Sequence, residues 1–134
     1  MFLTEDHVKN AVIAKLGKLH YTPTSVKTLR EQGVDITAKH INYNRYFLVE
    51  VKGESPETAR NSRSGREVRF IYSVGQIMTR IRPERDYRYG LAFPASYRTL
   101  ATSRLHYSLL RQLHIHLFFV DDKLNVEHLV VLSR

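Results

Sequence analysis

Two short segments of this 134-residue chain carry residues that could do chemistry together: Gly33-Val34-Asp35-Ile36 and Phe47-Leu48-Val49-Glu50-Val51-Lys52-Gly53. Side chains alternate faces along a strand, so Glu50 and Lys52 share one side with Leu48, while Val49 and Val51 point to the other. With Asp35 on the preceding strand, two carboxylates and an ammonium converge on one edge of a sheet. Carboxylates held close in a partly buried place repel, and a divalent cation is the usual means of neutralising them. The pattern therefore points to metal-dependent catalysis.

The elements that must position these residues are legible along the chain. Thr4 with Glu5 and Asp6 reads as a helix N-cap and acidic first turn, and Val8, Val12, Leu16 and Leu19 recur at helical spacing, predicting a helix from about Glu5 to about Leu19. Tyr21-Thr22-Pro23 closes it, and Val26 to Arg30 suggests a short edge strand. Gly33 opens a strand through Asp35, Thr37 and His40, Asn42 to Arg45 forms the turn, and Tyr46 to Lys52 is the most strand-like run, ended by Gly53. The polar stretch from Gly53 to Gly65 reads as a mobile loop. Val68, Ile71, Tyr72, Val74, Ile77, Met78 and Ile81 predict an amphipathic helix stopped by Pro83. Arg88 to Phe93 predicts a strand, Ser103 to Leu113 a helix, and His116 to Val120 and Val126 to Leu132 two final strands. Strands alternating with helices in the second half imply parallel pairing there, whereas the first hairpin is antiparallel. The expected class is α/β, a mixed central sheet flanked by helices in one domain over residues 1–134.

Composition sets limits on the function. The chain has no Cys, which excludes a thiolate zinc site and a Cys nucleophile and fits a cytoplasmic setting. No secretory signal and no membrane-length apolar run is present. Twenty-one Lys and Arg against 13 Asp and Glu give a net charge of +8, which favours a polyanionic partner, nucleic acid being the default. Of the seven histidines, His114 and His116 are placed to share a strand face, but no third ligand accompanies them. Arg60, Arg63, Arg66 and Arg69 recur every third residue beside the hairpin, as an arm contacting phosphates or as a solvated loop.

Asp35 followed by Glu50-Val51-Lys52 resembles the PD-(D/E)XK nuclease superfamily, with Val34 standing where the motif has Pro. Glu5 in the opening helix, Gly33 before the Asp strand, and Gln76 and Arg80 one turn apart on the following helix agree with it. The resemblance implies a restriction-endonuclease-like core and a metal-dependent DNA endonuclease. Asp35, Glu50 and the Val51 carbonyl would hold Mg²⁺, with Mn²⁺ as a substitute and Glu5 as a further metal-associated acid. Lys52 would orient the attacking water, Gln76 position water or phosphate, and Arg80 bind the backbone. Among members, the Holliday-junction resolvases share this small size and the opening-helix Glu, which would mean structure-selective cutting by a homodimer. Either the helix bearing Leu105, Leu109, Leu110 and Leu113 or the strand from Val126 to Leu132 would supply the dimer surface, unless it is simply core. The competing expectations are a non-cleaving nucleic-acid-binding module of the same fold and a protein adaptor using Tyr87, Tyr89, Phe93 and Tyr97, which read more readily as core and rim.

Overall fold

A computed structural model describes residues 3–26, 34–54, 63–84 and 86–132. The elements in chain order are α1 (Glu5–Lys18), β1 (Tyr21–Val26), β2 (Ile36–His40), β3 (Tyr46–Val51), α2 (Arg63–Met78), β4 (Tyr87–Pro94), a 3₁₀ turn (Ala95–Tyr97), α3 (Arg98–Arg104), α4 (Tyr107–Leu113), β5 (Ile115–Val120) and β6 (Val126–Leu129). The six strands form one sheet in the order β1-β2-β3-β4-β5-β6. The pairs β3-β4 and β4-β5 are parallel and the rest antiparallel, so the protein is α/β with a mixed sheet flanked by helices.

Alternation along the strands sorts the interior into two layers. Phe47, Val49, Val51, Ile36, Ala38 and Phe118 face α1, which buries Val8, Val12 and Leu16 against them. On the other side, Leu48, Leu91, Phe93 and Leu117 meet Phe70 and Ile77 of α2, together with Ala101, Leu105 and Leu110. Both parallel connections thus cross the same side of the sheet, as right-handed crossovers between sequence-ordered strands require.

Several expectations change at this level. Tyr21, Thr22 and Pro23 do not simply close α1: they begin β1, an edge strand where a residue lacking an N–H is tolerated, and the ladder is irregular between Pro23 and Ser25. Residues 27–33, including most of the predicted edge strand and Gly33, lie outside the described residues. Helix α2 begins at Arg63 rather than Val68, so part of the predicted loop is helix. Its buried side is Phe70, Ser73 and Ile77, whereas Val68, Ile71, Tyr72 and Met78 are exposed. The helix predicted over Ser103 to Leu113 is two helices, α3 and α4, broken where His106 adopts an extended conformation and its ring accepts from the Ser108 N–H. Leu105 and Leu110 are core and Leu113 packs against it, which leaves Leu109 exposed and removes most of the dimer surface proposed on that helix. Tyr89, Phe93 and Tyr97 are buried. No helix among the described residues is long and apolar enough to cross a membrane.

Candidate active site at the end of the hairpin

The antiparallel ladder of β2 and β3 pairs Ile36 with Val49, Thr37 with Leu48 and Ala38 with Phe47. Continued by one residue, this register sets Asp35 directly opposite Glu50. The amides of Tyr46 and Lys52 donate to Asp86 and Ala92 on the β4 side, so the odd residues of β3 face β2 with their backbone groups. A regular continuation of the ladder would make Asp35 and Glu50 a non-hydrogen-bonded pair, the kind in which facing side chains come closest. Regular pairing stops here because Asp35 replaces it: its Oδ2 accepts from the Val51 N–H at 2.7 Å, the bond the next backbone carbonyl would otherwise make. Both acids are buried, Asp35 at 7% and Glu50 at 3% exposure. The carbonyl of Val51 lies on the same edge as its N–H, the Asp35 side.

Glu50 and Lys52 share a face, as alternation requires, and that face is covered by α2. Lys52 is half-buried, with its Nζ 4.8 Å from the centre of the Tyr72 ring, a cation–π contact that fixes the ammonium beside the acids. Arg80 at the end of α2 sets its Nε 3.9 Å from Glu50 Oε1. Gln76, one turn earlier, lines a shallow cleft with Tyr72, Gly75, Thr79 and Arg80. Residues 66, 69, 73 and 76 follow one another at three- and four-residue steps and so form one stripe of the helix, with Arg80 in the turn just beyond its end. Along it and beyond its end the Nε atoms of Arg66, Arg69 and Arg80 and the Oγ of Ser73 are closed off from solvent and have no hydrogen-bond partner among the described residues.

Glu5 reaches this place from α1. Thr4 caps the helix: its side chain accepts from the His7 N–H and the His7 ring accepts from the Thr4 N–H, both at 3.2 Å. Glu54 N–H donates to the Leu3 carbonyl at 2.7 Å, tying the end of the β3 segment to the start of α1. Gly53 between them is buried so tightly that a Cβ there would run into the backbone of Thr4 and Glu5. Burial, and then the Asp35 carboxylate, pushes the Glu5 carboxyl up from its ordinary value, opposed by Lys52, Lys9 and Arg69. Glu5 is thus more than a helix-dipole residue: it belongs electrostatically to the group around Asp35 and Lys52.

A carboxyl whose folded pKa lies above its unfolded value holds its proton more tightly when folded. Its contribution to stability is therefore lost as pH rises from about 4.5, the unperturbed value, through the raised folded value, opposite in sign to the usual acid case. Glu5→Gln is expected to flatten the fall in metal-free stability over that window and to leave the protein more stable above it. Urea unfolding at a series of pH values checks this, and an unchanged profile would detach Glu5 from the site.

The structure brings together Asp35, Glu50, Val51, Lys52, Glu5, Gln76 and Arg80, and Arg66 and Arg69 stand on the same helix stripe. Arg60 lies outside the described residues, and Arg63 opens α2. Arg66 and Arg69 are helical rather than on a loop. Three residues that the sequence reading did not assign to the site belong here: Lys9, 5% exposed and one turn from Glu5, Tyr72 against Lys52, and fully buried Tyr97 near Arg69. Only Lys9 had a sequence signal, its four-residue spacing from Glu5 on a helix. His114 and His116 do not share a strand face. His114 ends α4 in a left-handed conformation, while His116 Nδ1 meets His128 Nε2 of β6 at 2.8 Å and is driven to a pKa of about 3 by burial and then by His128.

Among the described residues, no three His, Cys, Asp or Glu side chains stand together as a metal cage. The donor set is instead two facing buried carboxylates and one carbonyl. That set suits Mg²⁺, which takes one or two carboxylates and keeps several waters. The arrangement can neutralise a hard cation on one side and present cationic donors on the other. No protein-family model, curated protein or solved structure matches the chain.

Proposed function

We propose that the protein is a metal-dependent phosphodiester hydrolase acting on nucleic acid, a DNA endonuclease by preference. The observation that carries this reading is the hydrogen bond from the Val51 N–H to Asp35 Oδ2, which ties buried Asp35 to the segment of buried Glu50 and of Lys52. The chain order supports it: a helix with Glu5, a hairpin with Asp and Glu-x-Lys, then a helix with Gln76 and Arg80 is the arrangement of the PD-(D/E)XK core that the sequence resembles. The net charge of +8 supports a polyanionic substrate.

Asp35 and Glu50, with the Val51 carbonyl, would hold Mg²⁺ or Mn²⁺, which when bound polarises a phosphate and acidifies water. Asp35 is held for this by the bond its Oδ2 accepts from the Val51 N–H. Lys52, steadied on Tyr72, places a positive charge where negative charge develops on phosphorus, and its ammonium can hold the attacking water by hydrogen bonding. Gln76 lies in the cleft beside Arg80 with a donor and an acceptor to orient water or phosphate. Arg80 supplies a guanidinium to the backbone phosphate while balancing Glu50.

The second reading is a nucleic-acid-binding module that does not cut, favoured by the absence of a three-residue metal cage among the described residues. Calorimetric titration with MgCl₂ and MnCl₂ separates the two. The hydrolase reading expects saturable binding by the wild type that Asp35→Ala abolishes, whereas no divalent-ion binding would favour the module.

A further inference from the structure

The first two turns of α2 carry a feature that the acid pair does not use. Arg66 and Arg69 have their Nε atoms closed off from solvent with no hydrogen-bond partner among the described residues. A buried charged donor without an acceptor bears its desolvation uncompensated, which is the condition of a donor awaiting an anion. Other groups hold the two guanidiniums in place. Arg66 Nη2 stands 4.0 Å from Glu54 Oε1, and Glu54 is itself fixed by a short hydrogen bond from the Ser96 hydroxyl. Arg69 neighbours Tyr97, whose hydroxyl is likewise closed off from solvent with no hydrogen-bond partner among the described residues and whose ring is stacked on Phe93 at 5.1 Å between centres and 7° between planes. Arg66 remains partly open to solvent, with 30% of its side chain exposed, so a ligand can approach.

We propose that Arg66 and Arg69 form a phosphate-binding subsite, with Tyr97 as the positioning residue for Arg69 and Glu54 for Arg66. Two guanidiniums on adjacent turns match the oxygens of a phosphate, which accepts paired N–H donors in the plane of each fork. Burial pushes the Tyr97 phenol up from its ordinary value, so it stays neutral beside the guanidinium. At a rise of about 1.5 Å per residue, Arg69 lies about 14 Å along α2 from its last residue, Met78, and Arg80 follows in the turn beyond it. The stripe thus carries cationic groups toward both its ends, and a strand laid along it would be gripped by Arg66 and Arg69 at one end and by Arg80 at the other. That the phosphate belongs to a nucleic acid rests on the hydrolase reading; that a phosphate binds does not.

The test uses the full chain labelled with ¹⁵N, in chelator, titrated with inorganic phosphate against NaCl at matched ionic strength while the arginine Nε–Hε resonances are followed. Saturable shifts of Arg66 and Arg69 are expected, and Arg69→Gln should weaken phosphate binding roughly tenfold or more. Tyr97→Phe keeps the stacked ring and should loosen phosphate severalfold, an effect that a purely packing role for Tyr97 would not produce. Oligonucleotides with a 5′-phosphate or a 5′-hydroxyl then compete: preference for the former assigns a terminal monoester, and equal competition an internal diester. Absence of saturable shifts, or shifts reproduced by chloride, overturns the subsite. Because no metal is present and no cleavage is followed, the subsite and the hydrolase reading can each fail alone.

Discussion

Asp35→Ala and Lys52→Ala are each expected to reduce Mg²⁺-dependent cleavage by roughly a thousandfold or more, but by different routes that a metal titration separates. Removing Asp35 deletes one of two facing carboxylates and releases the Val51 N–H, to which its Oδ2 is bonded at 2.7 Å, so divalent-ion binding should disappear along with cleavage. Removing Lys52 subtracts a positive charge instead. Divalent ions should bind Lys52→Ala as tightly as wild type or more tightly, while the chemical step is lost. The contact between Lys52 and Tyr72 sharpens this prediction, because Tyr72→Ala should lower kcat by freeing the ammonium without changing the charge of the site. If both Asp35→Ala and Lys52→Ala cleaved at wild-type rates, the proposed site would play no part in the chemistry.

Gly53→Ala is expected to have the largest effect on stability of any single methyl added near the site. The nearest obstacle there is the backbone of Thr4 and Glu5, which cannot rotate aside as a side chain can. Relief requires the start of α1 to withdraw from the end of β3, breaking the bond from the Glu54 N–H to the Leu3 carbonyl. A cost of about 3 kcal/mol, the upper end of the usual overpacking range, follows from a backbone obstacle of this kind, lowering Tm by roughly 10 °C. Because that same movement carries Glu5 away from Asp35 and Lys52, the variant should also lose the raised pKa of the Glu5 carboxyl, a difference that NMR titration of both proteins would detect. A Tm within a degree or so of wild type would show that α1 does not close on the hairpin as described.

The pairing that defines the site was readable in the sequence because it depends on a local rule. Two-residue alternation puts Glu50 and Lys52 on one face wherever the strand lies, and a short turn brings Asp35 back across it. The parallel β3-β4 and β4-β5 pairs and the helix-flanked sheet followed from alternation of strands with helices in the same way. What escaped the sequence depends on distant contacts. Helix α2 has apolar residues on both sides, so Val68, Ile71, Tyr72 and Met78 formed a plausible buried stripe, yet the sheet takes Phe70, Ser73 and Ile77. Arginine recurring every third residue looked like a loop, because three charges so close disfavour burial unless something is there to receive them. The partners of that stretch, Glu54, Ser96 and Tyr97, come from other segments that no local period connects. The position of Glu5 depends on Gly53, 48 residues away in sequence and adjacent only in the fold.

The central claim is phosphodiester cleavage at the facing acids, and side-by-side digestion of labelled linear, nicked, branched and single-stranded DNA tests it most directly. The wild type with Mg²⁺ should cut at least one of these substrates, chelator should abolish cutting, and Lys52→Ala in parallel should leave the DNA intact. Intact DNA in every wild-type lane with Mg²⁺ or Mn²⁺, or cutting that persists in chelator, would contradict the account.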